Sequence, residues 1–266
     1  MGRVCKNGMR VARPAKRVML TVSFTGFIVG LLVGLTGMGG GLLMTPLLIL
    51  LYGFSPTMAV GTDLIYATVT KAVGSFQHFR QKTVDWSIVR RLAKGSVPGG
   101  LLGVLTIQAL KRFANLDIEQ VLGQFLGLTF IFVSLFMLIK MTGKTERPSE
   151  WINKVPLGWV GFLGGLLVGL TSVGSGTLFM AILLSSTSLA AAKLVGTDVV
   201  HAFFLTLSAG AMHASFGHVN VEFVAWLLLG SVPGILLGGR LTLRVPDRAL
   251  RIGIIVVLFV TGIKMV

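Results

Sequence analysis

Negative charge is scarce in this sequence. Nine aspartates and glutamates stand against 24 lysines and arginines, and charged residues make up 12% of the chain, about half the share of an ordinary soluble domain. With 53% hydrophobic residues, too little polar surface is left to solvate a globular exterior. Cysteine is nearly absent as well: Cys5 stands alone, which excludes an intramolecular disulfide and a thiolate metal cage. Neither the alternating ten-residue strands of an outer-membrane barrel nor a Walker, HExxH or Gly-x-Ser-x-Gly arrangement is present. The first absence argues against a β-barrel and the others against ATP hydrolysis and familiar hydrolase chemistry. No enzyme activity, cofactor or metal is expected.

What is there is a succession of apolar runs of about 17 to 25 residues, long enough as helices to cross hydrocarbon about 30 Å thick. The expected fold class is all-α, a polytopic membrane helix bundle placed in the plasma membrane. Basic residues sit in the N-terminal tail and short loops, where anionic lipid headgroups are their partners; nothing suggests nucleic acid. Arg3, Lys6, Arg10, Arg13, Lys16 and Arg17 precede the first apolar run with no acid among them, so residues 1–17 read as a basic cytoplasmic tail. That run has no Ala-x-Ala-like cleavage site, which speaks against a signal peptide.

The chain is internally duplicated. Residues 26–106 align without a gap on 161–241 at an offset of 135, with 30 identities in 81 positions. The punctuation matches: "GFIVGLLVGLTGMGGG" with "GFLGGLLVGLTSVGSG", "VGTD" with "VGTD", His78 with His213, "GSVPGGLLG" with "GSVPGILLG". The expected organisation is a first repeat over 18–141, a polar linker over 142–156 and a second repeat over 157–266. Each repeat holds a glycine-rich span, a short apolar segment (42–53 or 177–187) and three long spans. If the short segments enter the membrane and turn back, there are eight spans and the halves are parallel; if they cross, there are ten and the halves are inverted. With the tail inside, eight spans put 16 basic residues inside and 7 outside, whereas ten put 9 inside and 14 outside, Lys71 being intramembrane in both. Charge bias favours eight.

Of the nine acids only Asp63 and Asp198 lie within apolar runs, at equivalent places in the repeats. A carboxylate in hydrocarbon costs about 2.5–3.5 kcal/mol on insertion scales, so such residues face the bundle interior and mark ion, proton or substrate paths. The bland alternative is that each "GTD" merely starts and caps its helix. His201 falls on the polar face of its helix with Asp198. Lys71 lies about 12 Å along its helix from Asp63, too far to pair with it directly; it pairs with Asp198 across the repeats, binds an anion, or snorkels to a headgroup. Thr206 stands in its place in the second half. The glycine breaks at Gly39, Gly40 and Gly41 and at Gly174, Ser175 and Gly176 leave backbone N–H groups unshielded at the start of the following helix, suited to an anion. Pro98 and Pro233 in "GSVPG" read as packing bends.

The glycine-rich first span, the "VGTD" helix, "GSVPGGLLG" and their repetition resemble the TauE/SafE sulfite-exporter family from about residue 20 onward. The resemblance implies a bacterial plasma-membrane carrier of small sulfur-containing anions such as sulfite or sulfonates. Here the second glycine segment carries serines, and "MAILLSSTS" lacks a counterpart of Pro46. The expected substrate-binding set is Gly39, Gly40, Gly41, Thr62, Lys71, Gly174, Ser175, Gly176 and Thr197, with Asp63, Asp198 and His201 coupling transport to a proton. Other readings are a membrane-embedded enzyme using Asp63 and Asp198, and a membrane scaffold or sensor. The sequence gives no oligomeric state.

Overall fold

A computed structural model describes residues 16–36, 41–113, 117–142, 156–187, 189–241 and 247–266. The tail up to residue 15 and the linker over 143–155 lie outside the described residues. Among those described there are ten helices and no strand: α1 (Lys16–Thr36), α2 (Gly41–Tyr52), α3 (Pro56–Arg80), α4 (Trp86–Phe113), α5 (Ile118–Thr142), α6 (Leu157–Thr171), α7 (Thr177–Ser186), α8 (Ala191–Ser215), α9 (Val221–Leu241) and α10 (Asp247–Met265). At 1.5 Å per residue, α3, α4, α5 and α8 reach or exceed about 37 Å, whereas α2 and α7 are about 18 and 15 Å long, roughly half a hydrocarbon core.

Local chemistry sets several of the helix starts. Asp85 Oδ1 accepts the backbone N–H groups of Ser87 and Ile88 at 3.0 and 3.1 Å, Asp117 Oδ1 accepts those of Glu119 and Gln120, and Asn220 Oδ1 accepts that of Phe223 at 3.0 Å. These are N-caps on α4, α5 and α9. Pro56 opens α3 with a fixed φ, as suits a first helical position. The "GTD" segments are not helix starts: Asp63 lies seven residues into α3 and Asp198 seven into α8, so neither caps its own helix.

The two halves interleave. α1 packs along α9, α6 along α4, α3 against α8 and α5 against α10. Close approach demands glycine at the first two seams. A methyl on Gly26 or Gly30 of α1 would collide with the backbone of Leu227 or Ser231 of α9, and one on Gly95 or Gly165 would collide with the carbonyl of Gly158 or Ser96 across the α4–α6 seam. Small residues at such contacts let helices pack tightly where lipid supplies no hydrophobic drive.

The same contacts fix direction. Gly230, Gly234 and Gly238 meet Ser23, Phe27 and Leu31 in ascending order, and Gly95, Gly99 and Gly103 meet Gly158, Phe162 and Leu166 likewise, so α1 runs parallel to α9 and α6 parallel to α4. α3 and α8 are antiparallel, with Gly74 against Val199 and Gly61 against His213. Gly100 against Leu205, with Ser96 against His201, aligns α4 with α8. Thr62 meets Asn220 at the start of α9, and Tyr66 meets Ser231 further along, which aligns α3 with α9. Thus α1, α3 and α9 point one way and α4, α6 and α8 the other.

Large apolar side chains cover much of the exterior, Arg80, Lys82, Arg90, Arg91 and Lys94 are exposed, and a few polar groups are buried inside. Leu20, Phe24, Phe76, Phe132, Ile139, Trp159 and Leu163 are exposed, while Asp63, Lys71, Asp198, His201 and His213 are buried. A surface of this kind is matched to lipid rather than to water.

Alanine at Gly95 or Gly165 is expected to destabilise the protein by about 1–3 kcal/mol through overpacking. Alanine at Gly253, around which a Cβ meets nothing, should change stability by less than about 0.5 kcal/mol. Denaturant titration of the purified variants in detergent measures both.

Candidate functional site

Lys71 lies in the middle of α3, only 5% exposed. It reaches α6–α7 of the other half, where its Nζ donates to the carbonyl oxygen of Ser175 at 2.6 Å. That carbonyl belongs to the turn over residues 172–176, in which Ser172 and Gly174 both adopt left-handed backbone conformations, φ 61° and 98°. For the serine this conformation costs about 1–2 kcal/mol. It closes α6, with the Ser172 N–H bonded to the Val168 carbonyl at 2.7 Å. An ammonium has three donors, and among the described residues Lys71 makes no second hydrogen bond and no ion pair. Asp198 and Asp63 both lie within its electrostatic reach, Asp198 the more strongly.

The carboxylates are buried in different settings. Asp63 Oδ2 accepts the hydroxyl of Thr45 on α2 at 2.5 Å, its Oδ1 has no partner, and the Ser172 hydroxyl lies beside it outside hydrogen-bonding geometry. Asp198 keeps Oδ1 unpartnered too. Because α3 and α8 are antiparallel, the two aspartates stand toward opposite ends of that pair with Lys71 between them.

One turn beyond each aspartate comes a buried ring with a polar atom, Tyr66 after Asp63 and His201 after Asp198, and a "GSVPG" serine from the other half approaches each. His201 Nε2 is 2.8 Å from Ser96 Oγ, and the ring meets Phe179 of α7 edge-on at 4.5 Å. Ser231 stands next to the Tyr66 hydroxyl. Ser96, Ser231, Tyr66 and His201 are all fully buried. Six of the eight buried side-chain atoms without a partner among the described residues belong to these groups, Asp63 Oδ1, Tyr66 Oη, Ser172 Oγ, Asp198 Oδ1, His201 Nδ1 and Ser231 Oγ, the other two being Thr57 Oγ1 and Ser75 Oγ. Leaving a polar atom buried and unpaired costs about 1–3 kcal/mol, and such groups concentrate where a protein binds something polar.

The residues singled out in the sequence meet different fates. Lys71, Ser175, Asp198 and His201 come together, with Asp63 at one end. Gly39 and Gly40 lie outside the described residues; Gly41 opens α2, and Gly174 and Gly176 shape the α6–α7 turn. Ser175 presents its carbonyl to Lys71. Thr62 and Thr197 do not converge with the rest. The Thr62 hydroxyl accepts the backbone N–H of Asn220 at 3.1 Å, and that of Thr197 accepts the N–H of Asp85 at 2.9 Å. Each ties down the loop that caps a long helix of the opposite half. Thr45, Tyr66, Ser96, Ser172 and Ser231 were not singled out, although the recurrence of the "GSVPG" serine at the same offset as the aspartates was a usable signal.

An apolar outer face around an enclosed lysine, two aspartates and a broken helix is the construction of a multi-pass membrane transport protein. Comparison with known proteins gives the same class. The family described as Sulfite exporter TauE/SafE matches residues 22–265, and the chain belongs to it, as a multi-pass protein of the plasma membrane. It is 39% identical over 254 residues to the probable membrane transporter protein YjnA of Bacillus subtilis (strain 168), covering 93% of this chain and 99% of that one. It is 25% identical over 241 residues to the probable membrane transporter protein YunE of the same organism, covering 81% and 84%. It is 24% identical over 256 residues to the probable membrane transporter protein MJ0441 of Methanocaldococcus jannaschii, covering 90% and 92%. No solved structure matches the chain.

Replacing Thr62 or Thr197 by valine keeps the shape and removes one loop-anchoring acceptor. Each variant is expected to lose about 1 kcal/mol of stability, measured by denaturant titration of the purified protein.

Proposed function

We propose that this protein is a secondary carrier of small sulfur-containing oxyanions, sulfite and sulfonates first among them, driven by a proton gradient. The observation that carries this reading is Lys71: a buried ammonium with, among the described residues, one backbone acceptor for its three donors. An oxyanion satisfies such donors and cancels the charge. Asp63 and Asp198 are its proton-exchanging groups, since each retains an unpartnered oxygen in the interior. The family description supports sulfite as the first cargo to test, and the relatives' printed names support transport.

The two halves act as inverted repeats, with the short helices α2 and α7 crossing to return the chain between the longer helices on either side. The opposed directions of α1 and α6 support this arrangement, and alternating access then follows from rocking one half against the other around the Lys71 region. This is the ten-helix alternative of the sequence reading rather than the eight-span arrangement that charge bias favours.

The test is uptake of sulfite and a panel of sulfonates and carboxylates into proteoliposomes under an imposed pH gradient. Lys71→Met is expected to raise the half-saturating anion concentration by about 10- to 100-fold, the worth of one charged hydrogen bond of about 1.5–3 kcal/mol. Asp63→Asn should uncouple flux from the pH gradient. Full, gradient-driven flux in both variants would sink the proposal.

A further inference from the structure

The His201–Ser96 contact carries more than packing. A neutral imidazole has one N–H and one lone pair, and a hydroxyl has one hydrogen to give, so the contact has two polarities. If His201 Nε2–H donated to Ser96 Oγ, the serine hydrogen would need an acceptor elsewhere. The buried serines and threonines of these helices commonly find one in the carbonyl three or four residues back, as Thr68 does on Leu64, Thr171 on Leu167, Thr206 on Ala202 and Ser134 on Ile131. Ser96 makes no such bond among the described residues; its one hydrogen bond is to His201. That polarity would leave the serine hydrogen and the Nδ1 lone pair unmet. The reverse, Ser96 donating to Nε2, leaves an N–H on Nδ1 and a lone pair on the hydroxyl. The counts are equal, so acceptor strength decides: an imidazole nitrogen accepts more strongly than a hydroxyl oxygen, which favours the reverse.

His213 shows the opposite case. Its Nε2 is 3.1 Å from the carbonyl oxygen of Gly169, which only accepts, so its proton is on Nε2. The two buried histidines of α8 therefore hold opposite tautomers.

We propose that His201 is an anion-binding residue whose Nδ1–H, fixed by the Ser96 hydroxyl at Nε2, is the second donor of an oxyanion site whose first donor is Lys71. The proposal rests on the carrier reading above. Nδ1 is fully buried and unpartnered, the ring is held edge-on by Phe179, and it lies within electrostatic reach of Lys71. Two donors from opposite halves, one charged and one neutral, suit a ligand with several acceptor oxygens on one centre, as in sulfite or the head of a sulfonate. Ser96 is a positioning residue: it touches the histidine, and the histidine touches the anion.

The experiment has a ligand-free arm and a ligand arm, both on the full chain in detergent or proteoliposomes. Nitrogen-15 spectra of histidine-labelled protein, assigned by the signals lost in His201→Asn and His213→Asn, report each tautomer. The expected result is a proton on Nδ1 of His201 and on Nε2 of His213, with the first preference weakened in Ser96→Ala and kept in Ser96→Thr. A proton on Nε2 of His201 overturns the proposal whether or not any anion is transported. In the ligand arm sulfite is the probe. Asparagine places an amide N–H near the Nδ1 position and glutamine near Nε2, so His201→Asn should stay within about threefold of the wild-type half-saturating concentration while His201→Gln raises it about tenfold, the worth of about one hydrogen bond. Ser96→Ala should raise it several-fold at an unchanged maximal rate, and Ser96→Thr should restore it. Equal affinity in the asparagine and glutamine variants overturns the proposal and leaves the carrier reading standing if Lys71→Met still impairs uptake. Wild-type protein that neither binds nor moves sulfite overturns both.

Discussion

An ammonium group held away from water is the constraint around which this structure is arranged. Lys71 spends one donor on a backbone carbonyl and, among the described residues, has no carboxylate at contact distance, so Asp63 and Asp198 act on its charge through space. Such a balance works only in a medium of low dielectric, where Coulomb attraction persists over several ångströms. The glycine seams between α1 and α9 and between α4 and α6 make that medium by bringing backbones together closely enough to exclude water. The left-handed turn at Ser172 and Gly174 then aims the Ser175 carbonyl at the lysine. Seam, turn and aspartates, which look like three separate features of the sequence, are conditions for holding one charge.

Duplication supplies the frame, and divergence within it makes the site one-sided. Positions 135 apart hold the same structural roles: Thr62 and Thr197 each anchor a capping loop of the other half, and Ser96 and Ser231 each meet a ring one turn past an aspartate. The chemistry differs where the halves face each other across the centre. Lys71 corresponds to Thr206, which satisfies itself on the Ala202 carbonyl, and Tyr66 corresponds to His201. Thr45, which holds Asp63, corresponds to Met180, which has no hydroxyl to offer Asp198. Among the described residues, equivalent positions of the two halves thus bury one lysine rather than two.

The sequence made much of this legible, because burial of polar residues in lipid-facing helices is so costly that each exception points to a site. Asp63, Asp198 and Lys71 stood out against their apolar neighbours, and the offset of 135 tied the first two together. What stayed hidden depends on which helix meets which. The orientation of the halves was sought in loop charges, yet the helix directions are read from the glycine ladders between α1 and α9, contacts that no local pattern announces. Thr62 and Thr197 were drawn into the substrate set by their adjacency to the aspartates. On a helix the neighbouring residue points about 100° away, and that turn is enough to send each hydroxyl to a loop of the other half. Ser96 stands two residues before Pro98, whose bend already gives "GSVPG" a sufficient local meaning without the serine.

On the proposed reading, the place of Asp198 explains how one site links an anion to a proton. His201 follows Asp198 by one turn of α8, and Lys71 lies near both. An oxyanion held by His201 and Lys71 would be near an ionised carboxylate one turn away; side chains at that spacing are about 5–6 Å apart, and two like charges at that separation repel by about 3 kcal/mol at an effective dielectric of about 20. That is about a hundredfold in affinity, so the anion and the ionised carboxylate largely exclude each other. With the anion absent, the carboxylate helps to balance the ammonium; with the anion bound, the anion takes over that role and the carboxylate is best neutral. On this reading Lys71 keeps a negative partner throughout, and exchanging a carboxylate for an oxyanion brings a proton in with the cargo. Coupling of this kind needs no separate proton pathway across the whole membrane, only a lysine too deeply buried to be left without a counter-charge.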